Sequence, residues 1–443
     1  MGHSELNYDA IPGDATLIDS DHNLAPLHSE KDIDIVLIPN PSDDADDPLN
    51  WSNRRKNLAL FCMVVYSYGV GVPGSAIYSI IPEVAEKTGL TTRQVNTSTG
   101  YLLLFLGISC FFFQPRALQY GKRNVYLLSM FASSLISIWT PHCKTNAEWI
   151  GSKVLQGFLA SPVESLCEIT VSDISFQHQL ARNMSIYAAA LAKSNFCAPM
   201  IAGFISDGIG WEWVMYLSAI WSAVCFVFLF FFMEETNYER KLNPNKILEK
   251  MEIDGLPTVT EILSGDVSVE EKKIETVLSH QTIEDRLQEV NEAFVVESSD
   301  AAPQKPLKTY RDKVSFTGRI RSEFVLSHLL MSPIKMVQFP VILWCGFLYG
   351  SSLVWFNLMI ATEAMILGAP PYSFSSSMCG LAYISAAILT LIFQLTAGYL
   401  SDWIKVAIAR RRGGLSYAED RLWVLVIYMV LGLISSIGWG VGA

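Results

Sequence analysis

The sequence predicts an all-α protein that crosses a membrane many times. Three observations predict it. Of 443 residues, 51% are hydrophobic and 17% charged, whereas an average soluble chain carries about 25% charge. Apolar tracts recur along the chain at the length of about 20 residues that a helix needs to cross hydrocarbon. Lysine and arginine gather in alternate connections between those tracts.

Nine tracts qualify, at 57–81, 97–118, 124–141, 149–170, 183–206, 213–233, 336–361, 375–400 and 422–443. Their apolar residues run continuously and do not alternate, so helices and not barrel strands are expected. The tracts divide the chain into a polar tail at 1–53, a six-helix bundle at 54–233, a polar linker at 234–330, and a partial second bundle of three helices at 331–443. Within the linker, residues 268–294 have the pattern of an amphipathic helix.

Charge placement tests the count. Arg54, Arg55 and Lys56 precede the first tract, and Arg116, Lys122 and Arg123 surround the second connection. Arg182 lies in the fourth, Arg240 and Lys241 in the sixth, and Lys405, Arg410, Arg411, Arg412 and Arg421 in the eighth. The alternate connections hold Lys87 and Arg93, then Lys144, then no basic residue. The positive-inside rule places the tail and linker in the cytoplasm, and the plasma membrane is the expected location.

Several classes are excluded. The net charge of −11 comes largely from acidic runs at 1–50 and 250–300, and no basic stripe suits nucleic acid. The eight cysteines and seven histidines are scattered, without a CxxC pair or a ligand cluster. The cysteines read as small apolar fillers, and no metal or cofactor is expected. No nucleophile–base pair lies in or beside the tracts, so an enzyme is not expected. The start is polar, unlike a signal peptide, and Leu6 stands where a myristoylation motif needs a hydroxyl.

Ionisable residues at membrane depth are costly and mark functional positions. Lys153, Glu164 and Glu168 share the fourth tract, and helical spacing places all three near one stripe. Lys193 and Asn195 lie near the middle of the fifth, at a depth where Lys193 could pair with Glu164 or Glu168. Tyr349, Trp355 and Asn357 in the seventh are candidate contacts for an organic cation, or ordinary packing residues. Gly69, Gly71 and Pro73 should bend the first tract or let its neighbours approach closely. Pro199 and Gly203 are further candidates for a bend in the fifth.

The second and eighth connections resemble each other, which suggests repeated halves about a central cavity. Tyr120-Gly-Lys-Arg123 forms one, and Gly398-Tyr-Leu-Ser-Asp402 opens the other. A carboxylate at a helix C-terminus opposes the helix dipole. Asp402 should therefore be held by Arg410, Arg411, Arg412 or Arg421. Gly121, Lys122, Arg123 and Gly398 complete the candidate gate.

The chain resembles the fungal transporters of the major facilitator superfamily, and within it the drug:H+ antiporter branch with its polyamine and organic-cation carriers. The resemblance rests on Asp47-Pro-Leu-Asn-Trp-Ser52, Leu155-Gln-Gly-Phe158, Ser161-Pro-Val-Glu-Ser165 and Glu234-Glu-Thr-Asn-Tyr238. It continues through Tyr349-Gly-Ser-Ser-Leu-Val-Trp355, Pro370-Pro-Tyr-Ser-Phe374, Ser401-Asp-Trp403, Ala409-Arg-Arg411 and Glu419-Asp-Arg-Leu-Trp423. There are departures from the family pattern. Gln114 and Leu118 replace the glycine and aspartate of the first gate loop, Lys153 replaces an arginine, and Ala198-Pro199 replaces Gly-Pro.

The resemblance implies a monomeric carrier in the lipid bilayer that moves small organic solutes, cationic ones included, by alternating access coupled to protons. It also implies twelve helices where nine are found, which reads as a C-terminal truncation. The competing expectation is a non-transporting remnant or a transporter-like sensor.

Overall fold

Where no water can hydrogen-bond the backbone, each N–H and C=O needs a partner inside its own helix, so long apolar tracts fold as helices. The computed structural model describes residues 15–18, 34–39, 41, 42, 44, 46–238, 315, 326–370 and 372–442. Its helices are α1 Asn53–Ser75, α2 Ile81–Thr88, α3 Thr92–Tyr120, α4 Lys122–Trp139, α5 Asn146–Ala160 and α6 Pro162–Ile174. They continue as α7 Leu180–Ile209, α8 Trp211–Phe232, α9 Leu326–Met336, α10 Pro340–Gly368, α11 Ser376–Arg411 and α12 Trp423–Gly442. Two short strands, β1 (Ala15–Thr16) and β2 (Leu415–Ser416), pair antiparallel. The amphipathic stretch expected at 268–294 lies outside the described residues.

Among the described residues, six helical stretches are long and apolar enough to cross a membrane: Asn53–Thr88, Thr92–Tyr120, Gln177–Ile209, Trp211–Phe232, Pro340–Gly368 and Ser376–Arg411. Two of the other three expected spans fall short for physical reasons. Helix α4 has 18 residues and opens on Lys122 and Arg123. The fourth tract divides into α5 and α6 at Ser161, where Pro162 has no N–H to give the preceding turn. The ninth tract forms α12, Trp423–Gly442.

The ends of the helices are set locally. Thr91 and Thr145 each form a capping box, with Gln94 and Glu148, which satisfies two backbone donors reciprocally. Single glycines join α3 to α4 and α7 to α8: Gly121 and Gly210 have φ of 104° and 102°, a region closed to residues with a Cβ. The two corners share one geometry within the first bundle. Even α1 and α7 run uninterrupted through Pro73 and Pro199.

The first bundle has two apolar cores. One, around Met63, Tyr66, Tyr126 and Leu166, lies toward the end that carries Arg54 and Arg123, here called the basic end. The other, around Ile80, Val84, Trp149 and Trp211, lies toward the opposite end. Glycines bring the helices close. Gly157 on α5 abuts the backbone of Leu102 on α3, and Gly71 on α1 abuts Ser194 on α7. The most extensive helix contact is between α7 and α11, which joins the two halves. Gly203 and Gly380 meet the backbones of Ser376 and Met200 there, and Gly398 meets Ser185.

Candidate functional site

A proline in mid-helix leaves one carbonyl without its usual donor. In α1 the orphan is the carbonyl of Gly69, four residues before Pro73, and the Ser222 hydroxyl of α8 donates to it at 2.9 Å. Near the end of the same helix, Gln156 Nε2 donates to the Pro73 carbonyl at 2.9 Å, and Gln156 Oε1 accepts from Lys153 Nζ at 2.9 Å. Lys153 is 1% exposed, and its ammonium lies 5.7 Å from the centre of the Trp149 ring. The lysine therefore belongs to the interior of the first bundle.

That position corrects the expected stripe. The division at Ser161 separates Lys153 from Glu164 and Glu168: Lys153 is buried, whereas Glu164 is half-buried and Glu168 exposed. Glu164 Oε2 accepts from the Tyr349 hydroxyl of α10 at 3.3 Å, across the space between the halves. The pairing expected for Lys193 does not form, since none of its contacts reaches ion-pair distance of either glutamate. Lys193 and Asn195 are both half-buried on α7, on nearly opposite faces of the helix. Partly solvated charges gain little by pairing, and here each keeps its own environment.

On α10, Tyr349 and Trp355 are exposed. They stand six residues apart and so on different faces of the helix. Asn357 Nδ2 donates to the Leu353 carbonyl of its own helix at 2.8 Å. The structure thus brings Glu164, Glu168 and Tyr349 into one region, and leaves Trp355 and Asn357 outside it. Among the described residues, no group of three His, Cys, Asp or Glu is placed to hold a metal ion.

The gate residues are held together at the basic end. Lys122, 1% exposed, pairs with Asp173 of α6. Arg123, fully buried, donates to the carbonyls of Phe230 (2.6 Å), Met233 (2.9 Å) and Ser315 (3.1 Å). Its guanidinium thereby caps the C-terminus of α8, where unpaired carbonyls collect. Glu235 performs the converse service for α4, its two oxygens accepting the N–H groups of Lys122 and Arg123 at 3.1 Å each.

The segment Glu234–Tyr238 completes this end. Glu234 pairs with Arg55 at 2.5 Å, Asn237 donates to the Leu118 carbonyl at 3.0 Å, and the Tyr238 hydroxyl donates to Asp44 at 3.1 Å. Burial raises the Tyr238 phenol above its usual range, so it remains a donor at neutral pH. Sequence reasoning noted this segment but missed its role, that of Glu235 included, and it missed Asp173 altogether. Asp173 on α6 supplies the carboxylate that meets Lys122. The signal for that lay in Lys122 and Arg123: cations at a helix N-terminus need anionic partners from elsewhere.

Asp402 corrects a second expectation. Helix α11 does not end near residue 400 but continues to Arg411, so Asp402 is not at a C-terminus. Its Oδ1 and Oδ2 accept the N–H groups of Ala181 (3.2 Å) and Arg182 (2.8 Å), in the first turn of α7. Arg412 instead reaches Asp420 at 2.8 Å. Lys405 donates to Gln177 at 3.1 Å, and Arg182 lies 6.0 Å from the Tyr399 ring. Arg410 and Arg411 close α11 beside this region, while the side chain of Arg421 lies outside the described residues.

Residues 59–442 match the family model described as the Major Facilitator Superfamily. An uncharacterized MFS-type transporter of Schizosaccharomyces pombe is 25% identical over 98% of this chain and 75% of its own. Protein HOL1 of Saccharomyces cerevisiae is 24% identical over 92% of this chain and 73% of its own. The MFS antiporter QDR3 of Candida albicans is 24% identical over 92% of this chain and 67% of its own. These matches run through both halves and both gate loops. The chain belongs to the Major Facilitator Superfamily of membrane transporters.

Proposed function

We propose that this transporter moves small organic cations by alternating access, with protons as the coupling ion and Glu164 as the shared binding group. The supporting observation is the Tyr349–Glu164 hydrogen bond at 3.3 Å, which joins the two halves at a carboxylate. A carboxylate at membrane depth is neutralised either by a proton or by a cation, so one group can exchange the two. Glu168, one turn along and exposed, adds negative charge, and the Tyr349 ring offers a face to a cation. When the halves part, the Tyr349 bond breaks and Glu164 opens to the other side.

In this reading the basic end is cytoplasmic, the nine helical segments all lie in the plasma membrane as a monomer, and the units at 54–233 and 331–443 rock about the α7–α11 contact. Lys153, fixed by Gln156, braces the first unit. The antiporter relative supports exchange with a second ion, and the positive-inside rule supports the orientation.

The test is uptake of labelled tetraphenylphosphonium and spermidine into proteoliposomes under an imposed pH gradient. Uptake is expected with the parent chain, is abolished by a proton uncoupler, and is lost in Glu164→Gln. Cation uptake indifferent to both would overturn the coupling. Absence of uptake for either probe would favour a transporter-like protein that moves no solute.

A further inference from the structure

Helices α7 and α11 run antiparallel, so each brings its C-terminal part to the start of the other. At the basic end, Asp402 of α11 accepts the N–H groups of Ala181 and Arg182 of α7. At the opposite end the roles are exchanged. Oδ2 of Asp207, in the last turn of α7, accepts the N–H of Ser377, in the first turn of α11, at 3.0 Å. A carboxylate at that position opposes the dipole of its own helix and suits the dipole of the helix it faces. The charge of Asp207 therefore gains by reaching across the gap between the halves.

The neighbours of Asp207 leave it free for this contact. Ser206 turns instead to the first half, where its hydroxyl donates to Glu83 of α2. Glu83 also holds Lys87 at 3.0 Å, and among the described residues no lysine or arginine pairs with Asp207. Nearly two turns further along α11, Tyr383 is 1% exposed. Its ring lies 6.3 Å from that of Phe196 on α7, and its hydroxyl donates to the Ile360 carbonyl of α10 at 3.1 Å. Tyr383 is thus covered from the α7 side while the two helices stay together at this end.

The two contacts are unequal. Helix α7 has no capping side chain of its own and receives two bonds from Asp402, which is buried. Helix α11 has the Ser375 hydroxyl as its cap, accepting from the Met378 N–H, and receives one bond from Asp207, which is exposed. Water weakens a charge contact that it can reach.

We propose that Asp207 is the latch of the opposite end, the counterpart of Asp402, and that it is the weaker of the two and yields first. Its part in transport rests on the alternating-access reading; the contact itself does not. As the halves rock about the middle of the α7–α11 contact, one latch breaks while the other holds. The end away from the basic loops is then the one that opens more readily.

The experiment uses the full chain in lipid nanodiscs with two readouts. Hydrogen–deuterium exchange follows the peptides that contain Ser377 and Ala181–Arg182, and oxidation by hydroxyl radicals follows Tyr383. Asp207→Asn should raise Ser377 exchange and Tyr383 oxidation about two- to fivefold, the scale of a carboxylate at an exposed helix N-terminus. It should not quicken Ala181 or Arg182. Asp207→Ala, which removes the acceptor as well, should go at least as far, and Asp402→Asn should do the converse. Faster exchange of Ser377 with Tyr383 still covered would make Asp207 a helix cap alone and overturns the latch. Loosening of both ends by one variant, or no change in either readout, overturns it too. In the parent chain Ser377 should exchange faster than Ala181 and Arg182 once intrinsic rates are removed, and the reverse order overturns the ranking. Neither readout needs a transported solute. Absence of uptake for both cation probes would therefore count against the transport reading, and these measurements would still decide the latch.

Discussion

Asp402 and Arg182 meet carboxylate to backbone: Oδ2 of the aspartate accepts the N–H of Arg182 at 2.8 Å, and Oδ1 accepts its neighbour Ala181. A residue on α11 therefore supplies the negative charge that the start of α7 favours, and the contact crosses from one half of the transporter to the other. At the start of α4, Glu235 does the same from the segment that follows α8. Two helix N-termini at one end of the molecule are closed by carboxylates that arrive from distant segments.

Asp402→Asn keeps the shape and removes the charge. A carboxylate at a helix N-terminus contributes about 1 kcal/mol, so exchange of the Ala181 and Arg182 amides should quicken about fivefold on that scale. Unchanged exchange would mean that the α7–α11 packing alone keeps this end shut.

Glu235→Ala leaves the Lys122 and Arg123 N–H groups without their acceptor. Loss of a helix cap costs about 1–2 kcal/mol, and the purified protein should unfold at a lower temperature. Glu235→Gln, which retains one carbonyl oxygen, should recover part of the loss.

Asp173→Asn strands the buried Lys122 ammonium, and removing one partner of a buried pair costs about 3 kcal/mol. The quarter exposure of Asp173 places the expected value at or below that figure. Adding Lys122→Met should restore stability toward the parent, so the double variant is more stable than the single. A double variant worse than Asp173→Asn would show that Lys122 has another anion to serve.

Gly157→Ala would drive a Cβ into the backbone carbonyl of Leu102, an atom that cannot rotate away. Overpacking of this sort costs about 1–3 kcal/mol, read as a lower thermal midpoint. Gly151→Ala on the same helix meets nothing within 4 Å and should gain up to about 1 kcal/mol from helix propensity. The pair separates close packing from general intolerance of substitution in α5.

The helices were legible in the sequence because apolar length is a local property. The tracts at 97–118 and 213–233 reappear in α3 and α8 within a few residues of their expected ends. The tract at 149–170 is less simple: Ser161-Pro162 was visible, yet a proline near a serine does not say whether a helix bends, stops or continues, because neighbouring helices can re-satisfy the freed carbonyl. At Pro73 they do, through Ser222, and at Ser161 the helix divides.

By itself the sequence determined that this is a chain of membrane helices, with basic residues gathered in alternate connections and carboxylates in the fourth tract, since hydropathy and charge spacing act along the chain. Only the tertiary structure decided which charge meets which partner: Asp402 with the start of α7, Lys122 with Asp173, Glu164 with Tyr349. The reason is that a hydrogen bond is won by distance and direction in space. Asp402 and Arg182 lie 220 residues apart, and no spacing along the chain encodes a contact that exists only once α7 and α11 have packed.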